Sequence, residues 1–330
     1  SRNGGTSWEN VTPPGYGKFT RTAHIDPSPH DPAVVYLAAN RYQQDDFAPY
    51  LWRSADYGKT WTKIVTGIPS SAYTRVVRED PVRRGLLYAG TEIGVWVSMD
   101  DGAAWQPLQL NLPRVSVRDL TVHGNDLIAA THGRAFWVID DVSPLRELSA
   151  AVMRKPVHLF QPAPAMLWDG GGWQRKGAAG ENPPPGALVD YWLRDRPAVG
   201  TAVTVQFLDG KGMLIRSFTT KTDSSRTPTD SVPARTVGTD SIAYHAADSI
   251  PRLQPGTNRF HWNLRYPNAR ELRNTVIDEG TLSGPRVPPG TYTVRLVVGR
   301  DTSSRQFAVV ADPRSTSSTA DLVAQFDAAQ

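Results

Sequence analysis

The segment SADYGKTW, from Ser54 to Trp61, decides the fold because the chain carries related copies of it. The copies are SRNGGTSW, which starts at Ser1, and SMDDGAAW, which starts at Ser98, so their starts lie 53 and 44 residues apart. All three share the pattern Ser-x-Asp/Asn-x-Gly-x-x-Trp. A repeat of this length is typical of a β-propeller, in which radial four-stranded sheets, or blades, surround an axis. We therefore predict that each copy belongs to one blade.

The residue types of the repeat predict a structural role. Ser, Asp and Gly close tight turns through hydrogen bonds from side chain to backbone, and Trp caps the apolar layer between neighbouring blades. The residues concerned are Asn3 and Trp8, Asp56 and Trp61, and Asp100 and Trp105. Asp56 and Asp100 also invite a glycosidase hypothesis, since glycoside hydrolysis usually uses two carboxylates. Their place in peripheral turns favours the structural role.

Short runs rich in Val, Thr, Tyr and Trp separate these turns, and the 27 Gly and 27 Pro residues indicate frequent chain reversals. The pattern predicts about three blades within residues 1–142, with strands over 19–65, 73–108 and 115–139. Trp8 to Val11 would be the outer strand of a further blade. Closed propellers usually have about four to eight blades. We therefore expect an open edge, which further blades or a second chain would cover.

The rest of the chain predicts a second β-rich region. Residues 143–186 predict a helical exit from the propeller and a Gly/Pro-rich linker. Residues 187–312 contain six or seven alternating strands, which suit an immunoglobulin-like or fibronectin-like β-sandwich. Residues 313–330 predict a terminal helix. The predicted fold class is all-β, a partial propeller followed by a sandwich.

Composition excludes several function classes. The chain has no Cys, which excludes disulfides, zinc–cysteine sites and thiol catalysis. The net charge of +4 is spread over 36 basic and 32 acidic residues without long runs of one sign, so we expect no nucleic-acid partner. No stretch approaches 18 consecutive apolar residues, so we expect no membrane span. A first residue other than Met and the lack of a signal peptide predict a piece of a longer protein.

Six further segments carry a resemblance to a known family. They are 78–81 (REDP), 86–91 (LLYAGT), 131–137 (THGRAFW), 140–146 (DDVSPLR), 258–266 (NRFHWNLRY) and 289–294 (PGTYTV). Together with the three repeats, they resemble the carboxy-terminal part of bacterial BNR-repeat (Asp-box) proteins, described as sortilin-like or glycosyl-hydrolase-like. The resemblance implies a secreted or periplasmic protein. Because Asp-boxes occur in glycosidases and binding proteins alike, it implies the architecture more than the activity.

Four residues are candidates for catalysis. Glu79 and Asp80 form an acidic pair at the end of a first strand, where they could act as acid and base or bind a cation. His132 and Arg134 flank a glycine in a hairpin and could hold an anion or a phosphate group. In the structural alternative, the two acids cap a turn or pair with arginines, and the two basic residues pair with nearby aspartates.

The candidate binding residues are cationic or aromatic. Arg21, Arg75 or Arg78, and Arg118 fall on first strands of successive blades, which line a propeller's axis, and Tyr73 lies nearby. Sialidases hold a substrate carboxylate with three arginines and use a tyrosine nucleophile. Trp168 and Trp173 lie in the Gly-rich loop, where they would contact a sugar or a peptide, or pack between domains.

One group of residues suggests a divalent metal ion, and no other cofactor is expected. His24, Asp26, His30 and Asp31 place two imidazoles and two carboxylates within eight residues. Such groups bind hard or borderline metal ions, but the spacing matches no tight ligand motif. The pairs Asp26-Pro27 and Asp31-Pro32 also predict turns.

We therefore expect an extracytoplasmic recognition module that binds a polypeptide or a glycan. The alternative is a hydrolase with a site on the propeller face, either a sialidase-like glycosidase or a metal-assisted esterase or phosphoesterase. The chain lacks the Gly-x-Ser-x-Gly, phosphate-loop and dinucleotide motifs, so serine-hydrolase, kinase and NAD chemistry are not expected.

Overall fold

The computed structural model describes residues 1, 3–168, 185–220, 250–269 and 283–329. The protein is mostly β, as predicted. It divides into two compact units, Ser1–Arg146 and Glu147–Gln330. None of the helices in the described ranges is long and apolar enough to cross a membrane.

The first unit contains three antiparallel sheets in which neighbours in sequence are neighbours in space. The first sheet has strands β1 (Arg21–Pro27), β2 (Val35–Arg41), β3 (Asp46–Ser54) and β4 (Thr62–Lys63); the second has β5 (Thr74–Glu79), β6 (Leu87–Thr91), β7 (Gly94–Ser98) and β8 (Gln106–Pro107); the third has β9 (Val117–His123), β10 (Asp126–Thr131) and β11 (Phe136–Ile139). The predicted inner strands agree with these to within a few residues. The fourth strands are shorter than predicted, and Trp8 to Val11 forms no strand.

The three sheets stack in chain order and share two apolar cores. One core joins the first and second sheets through side chains such as Leu51, Ala89 and Trp96. The other joins the second and third sheets through side chains such as Tyr88 and Leu120. Because the second sheet contributes side chains to both cores, one on each face, the residues of β5, β6 and β7 are almost all buried. The arrangement is propeller-like, with the first strands of successive sheets side by side.

The sheets have two distinct ends, which we name by their connections. The front end is where β1, β5 and β9 begin and where the second strand of each sheet turns into the third, at residues 42–45, 92–93 and 132–135. The back end is opposite, where the box turns join third strands to fourth strands. Antiparallel pairing within each sheet fixes this division.

The three box turns share one hydrogen-bond pattern. In the second box, the Gly58 amide donates to Ser54 Oγ and the Thr60 amide donates to Asp56 Oδ1, both at 2.8 Å. The corresponding donor and acceptor pairs are Gly102 with Ser98 and Ala104 with Asp100 in the third box, and Gly5 with Ser1 and Ser7 with Asn3 in the first. The side-chain oxygen of Asn3 therefore replaces a carboxylate oxygen. Ala104 stands where the second box has Thr60 and makes the same bond, because the donor is the backbone amide.

The second unit is a sandwich of two sheets that follows two short helices, α1 (Ser143–Glu147) and α2 (Ala150–Arg154). The helical exit predicted at the start of residues 143–186 consists of these two helices. Ser149 separates them, because its Oγ accepts the Val152 amide as the cap of α2. The later elements are β12 (Val157–Leu159), β13 (Ala165–Leu167), β14 (Ala187–Leu193), β15 (Val203–Leu208), β16 (Leu214–Thr219), β17 (Gly256–Trp262), β18 (Gly290–Val298), β19 (Asp301–Ala311) and α3 (Thr319–Ala328).

These strands form a three-stranded sheet in the order β12-β14-β17 and a five-stranded sheet in the order β13-β19-β18-β15-β16. Only β13 and β19 are parallel among the pairs in the described ranges; the others are antiparallel. The sheets pack face to face through one core, in which the rings of Phe207 and Trp262 stack with centroids 4.2 Å apart. Residues 169–184 of the predicted linker lie outside the described residues.

Candidate functional site

The structure places the four catalytic candidates at opposite ends of the sheets. Strands β5 and β9 run in the same direction. Towards their ends, Arg78 Nε on β5 donates to the Leu120 carbonyl on β9. At their starts, Ser116, just before β9, bonds to Glu92, whose amide donates to the Tyr73 carbonyl just before β5. Glu79 and Asp80 end β5 at the back. His132 lies at the front, where its amide donates to the Ser116 carbonyl at 2.8 Å. The acidic pair and the His132–Arg134 hairpin are therefore not brought together.

Glu79 and Asp80 hold the turn that follows β5. Asp80 is fully buried; its Oδ1 accepts the amides of Val82 and Arg83 at 2.9 Å and pairs with Arg146 Nε at 3.0 Å. Glu79 is also buried, and its Oε1 accepts the Gly85 amide at 2.8 Å. These contacts shape the turn, and the Asp80 carboxylate has no surface to offer a substrate.

Arg78 links three neighbouring first strands. Its guanidinium pairs with Asp26 on β1 and with Asp119 on β9, each at 3.1 Å. The carboxylate of Asp26 also accepts the Glu79 amide at 2.9 Å. Beside them, burial and then the positive charge of Arg78 lower the pKa of His24. Arg78 therefore ties the sheets together along their inner edges, using three protein acceptors.

The metal candidates do not converge. His30 Nε2 lies 2.8 Å from the Asp80 carbonyl oxygen, at the back end, while Asp26 is paired with Arg78. In the ranges that the structure describes, no group of three or more His, Asp and Glu side chains could hold a metal ion.

A different cluster occupies the front end, which we call the front cluster: Tyr42, Phe47, Tyr73, Arg75, Glu92 and Ser116. Arg75 donates to Glu92 Oε2 through Nε at 2.9 Å and Nη2 at 2.6 Å, and Nη2 also reaches the Tyr73 hydroxyl at 2.8 Å. Ser116 Oγ donates to the same carboxylate oxygen at 2.7 Å. The carboxylate thus joins the second sheet to the third.

Aromatic rings cover this ion pair. Tyr42 stacks on Tyr73 with centroids 5.0 Å apart and 22° between the planes, and Phe47 lies 6.1 Å from Tyr73. The guanidinium carbon of Arg75 lies 4.8 Å from the Tyr73 centroid, within the range of a cation–π contact. Phe47 remains 49% exposed, so the cluster presents an apolar ring to solvent above a fixed ion pair.

The electrostatics of the front cluster favour a charged carboxylate and a neutral phenol. Burial alone would raise the pKa of Glu92, but the hydrogen bonds from Ser116, Tyr73 and Arg75 outweigh it, so the pKa is lowered. Burial, followed by the hydrogen bond to Glu92, raises the pKa of Tyr73 to about 12. A buried phenol with a raised pKa is not an activated nucleophile.

The remaining predicted residues lie beside this cluster or in the second unit. Arg118 Nη2 and His132 Nδ1 are 2.8 Å apart, and both side chains are exposed at the front of the third sheet, as is Arg134. Trp168 lines a cavity of about 110 Å³ in the second unit, together with Arg265 and Arg286. Trp173 lies outside the described residues.

No motif in the sequence marks Tyr42, Phe47 and Glu92 as a site. Tyr42 and Glu92 lie in connections from second to third strands, and Phe47 is the second residue of β3, which follows Tyr42. His132 and Arg134 occupy the same kind of connection in the third sheet. Their only signal in the sequence is this shared position between the second and third strands of successive repeats.

Comparison with known proteins gives partial similarities, and no protein-family model matches the chain. Xyloglucanase Xgh74A of Acetivibrio thermocellus is 32% identical over 96 residues, which cover 26% of this chain and 11% of that protein. The structure of YCF48 bound to D1 peptide is 14% identical with a TM-score of 0.31, covering 66% of this chain and 60% of that one. The GH74 enzyme of Niastella koreensis is 15% identical with a TM-score of 0.30, covering 52% and 28%. The chain thus spans about a tenth of the length of the curated xyloglucanase.

Proposed function

We propose that this protein is an extracytoplasmic recognition module of the Asp-box type that binds a glycan at the front cluster. The placement outside the cytoplasm follows the resemblance to secreted and periplasmic Asp-box proteins. Binding rather than catalysis is the role that the contacts of the described side chains favour.

The proposal rests on polar groups that the protein holds in place beside the exposed ring of Phe47. Arg75 is 8% exposed and donates to both Glu92 and Tyr73, so these polar groups are held in place before a ligand arrives. Such preorganisation reduces the entropy cost of binding. Phe47 supplies an exposed apolar face, and Glu92, whose side chain is 35% exposed, supplies acceptors. Ligand sites combine these features, an apolar surface with a few placed polar groups.

A glycan fits this surface better than a polypeptide. Sugar rings offer both an apolar face and hydroxyl donors, which match an aromatic ring beside a carboxylate. The 96-residue similarity to a xyloglucanase favours the same class. A polypeptide ligand is the competing outcome of the experiment below.

The hydrolase alternative rests on that same similarity. It needs two carboxyl groups facing one substrate, about 5 to 10 Å apart. Asp80 is enclosed by Arg146 and its own turn, and Glu92 is held ionised by Arg75 and Ser116. The front cluster therefore lacks, among its described residues, a carboxyl group suited to act as the acid, and binding is the better supported role.

We also propose that the second unit is immunoglobulin-like. In that fold one sheet contains strands A, B and E and the other contains C, F and G, with C′ beside C in the variable type. The sheets β12-β14-β17 and β19-β18-β15-β16 have this order, with β16 in the place of C′.

The test is affinity electrophoresis in gels containing soluble xyloglucan, with a mixed-linkage β-glucan gel alongside. Phe47→Ala should weaken retention at least about tenfold, as expected when a central aromatic contact is lost. Tyr57→Ala is the matched control, because Tyr57 is 58% exposed but belongs to the second box turn, at the back end. Equal retention of both variants, or no retention of the wild type, would refute the proposal; release of reducing sugar would favour the hydrolase.

A further inference from the structure

The third sheet repeats the strand geometry that positions Arg75 in the second sheet. Arg75 is the extra residue of a β-bulge in β5, just after the point where Thr74 pairs with β6. Arg118 is the extra residue of a β-bulge in β9, just after the point where Val117 pairs with β10. A bulge directs a side chain out of the regular alternation of its strand. Arg118 is therefore the structural counterpart of Arg75.

The residues that follow the second strands correspond in the same way. Glu92 is the first residue after β6, and its amide donates to the Tyr73 carbonyl at 3.0 Å. His132 is the first residue after β10, and its amide donates to the Ser116 carbonyl at 2.8 Å. In each sheet the acceptor is the residue just before the first strand. His132 therefore stands in the third sheet where Glu92 stands in the second.

The two sheets differ in the charge that meets the arginine. In the second sheet, Arg75 donates to the Glu92 carboxylate, and the pair is neutral overall. In the third sheet, Nη2 of Arg118 lies 2.8 Å from Nδ1 of His132. A guanidinium has only donors, so this nitrogen accepts, and the imidazole carries no charge to offset the arginine. All four residues belong to the two sheets compared, so the difference does not depend on what adjoins the third sheet.

The Arg118–His132 pair adjoins the front cluster through Ser116. The Oγ of Ser116 donates to the Glu92 carboxylate, and its carbonyl oxygen accepts the His132 amide. The side chains of Arg118 and His132 are exposed at the front end. A ligand that covers the front cluster therefore has an accessible guanidinium beside it.

The acidic side chains beside Arg118 and in the front cluster are already paired. Asp119, which follows Arg118 in β9, pairs with Arg78 at 3.1 Å. Glu92 accepts two hydrogen bonds from Arg75. Among the described residues, Arg118 thus lacks an acid, and a ligand can supply one. The planar guanidinium suits a carboxylate, because two of its N–H groups can donate to the two oxygens in parallel.

We propose that the glycan bound at the front cluster is acidic, and that the carboxylate of one of its sugars pairs with the guanidinium of Arg118; this rests on the proposed function, because the front cluster holds the rest of the glycan. The ligand class is therefore glycans that contain uronic acids. The ligand supplies beside Arg118 the charge that Glu92 supplies beside Arg75. His132 is a positioning residue, which holds the guanidinium without neutralising it.

The experiment is isothermal titration calorimetry of the whole chain with three forms of one polymer, in about 150 mM salt to screen long-range attraction. The forms are xyloglucan, xyloglucan whose primary hydroxyl groups have been oxidised to carboxylates, and the methyl ester of that product. The wild type should bind the oxidised form at least about tenfold more tightly than the other two, as expected for a charge-assisted hydrogen bond. Equal affinity for all three would overturn the proposal.

Two substitutions test the residues involved. His132→Glu rebuilds in the third sheet the pair of Arg75 and Glu92, so it should abolish the preference for the oxidised form, and Arg118→Gln should abolish it too. His123→Glu is the matched control, because it makes the same change on an exposed side chain at the back end of β9. The control should keep the preference. An equal loss in His123→Glu and His132→Glu would show attraction by net charge alone and would overturn the proposal.

Phe47→Ala separates the carboxylate contact from glycan binding itself. This variant should bind unmodified xyloglucan more weakly but keep its preference for the oxidised form. A wild type that binds xyloglucan without that preference refutes only the carboxylate contact, whereas a wild type that binds the oxidised form alone, with Phe47→Ala unimpaired, refutes the front cluster. Polyglutamate is the competing ligand, and binding as tight as that of oxidised xyloglucan would overturn the assignment to a glycan.

Discussion

The indole nitrogen of Trp105 donates a hydrogen bond to the carbonyl oxygen of Ile64, 2.8 Å away, and so fastens the box of the second sheet to the outer edge of the first. Trp61 makes the same bond to Val11 at 2.7 Å, one repeat earlier. In both boxes the aspartate carboxylate accepts a hydrogen bond from a backbone amide of its own turn. The boxes therefore act as fasteners between successive segments of the stack.

Substitution of Trp105 should therefore destabilise the protein more than substitution of either of the other two box tryptophans. Trp105→Ala should lower the free energy of unfolding by about 3 to 5 kcal/mol, the usual cost of truncating a buried Trp. Trp105→Phe keeps much of the apolar contact but loses the hydrogen bond, at a cost of at least about 1 kcal/mol. Trp8→Ala should change the stability by less than about 0.5 kcal/mol, because the side chain is exposed. Urea unfolding at low protein concentration measures all three; equal losses for Trp8 and Trp105 would contradict the fastener role.

The carboxylate of Asp56 should contribute to stability in a pH-dependent way. Hydrogen bonds from the Thr60 side chain and amide lower its pKa to about 2. A lowered pKa in the folded state means that the contribution is present above the unfolded value near 3.8 and is lost as the pH falls towards 2. Asp56→Asn should preserve the turn, as Asn3 does in the first box. Its stability deficit should therefore shrink between about pH 6 and about pH 2, measured by thermal unfolding; a constant deficit would show that the charge is irrelevant.

The sequence predicts local features of this fold better than contacts between sheets. The box turns and most strands of the first unit follow from residues within about eight or ten positions of one another, so their pattern is readable. The front cluster depends instead on Arg75 meeting Glu92 across a hairpin and Ser116 across a sheet boundary. Such partners follow from strand register and sheet stacking, which a single sequence does not specify. The two-residue length of β4 has the same origin, because the chain just beyond it bonds to the next box: the Trp105 amide donates to the Thr66 carbonyl at 2.8 Å.

The ion pair between Asp80 and Arg146 should contribute strongly to the free energy of unfolding of the first unit. Asp80 is fully buried and the Arg146 side chain is 10% exposed, with Nε 3.0 Å from the carboxylate. Removing one partner leaves a buried charge without compensation, so Arg146→Met should cost about 3 to 5 kcal/mol. Arg314→Met is the control, because the Arg314 side chain is 75% exposed in its pair with Asp312.

A double-mutant cycle separates the ion pair from the packing of its side chains. Asp80→Asn combined with Arg146→Met should cost less than the sum of the two single changes, by at least about 1 kcal/mol, because the second change removes a charge that the first has stranded. Chemical unfolding of the four proteins supplies the measurement. Strict additivity would show that the two side chains stabilise the turn independently.

His24 should make the protein less stable at mildly acidic pH. Its Nδ1 is buried without a hydrogen-bond partner among the described residues. Burial, then the nearby charge of Arg78, lowers the pKa of the imidazole, although the carboxylates of Asp26 and Asp119 act in the opposite direction. The unfolded chain therefore binds this proton more readily than the folded one, and stability is lost as the pH falls below the ordinary value of 6.5. His24→Leu should remove that loss, so urea unfolding at about pH 7.5 and about pH 5.5 should show a smaller decrease for the variant than for the wild type. An equal decrease in both proteins would mean that the proton is taken up elsewhere.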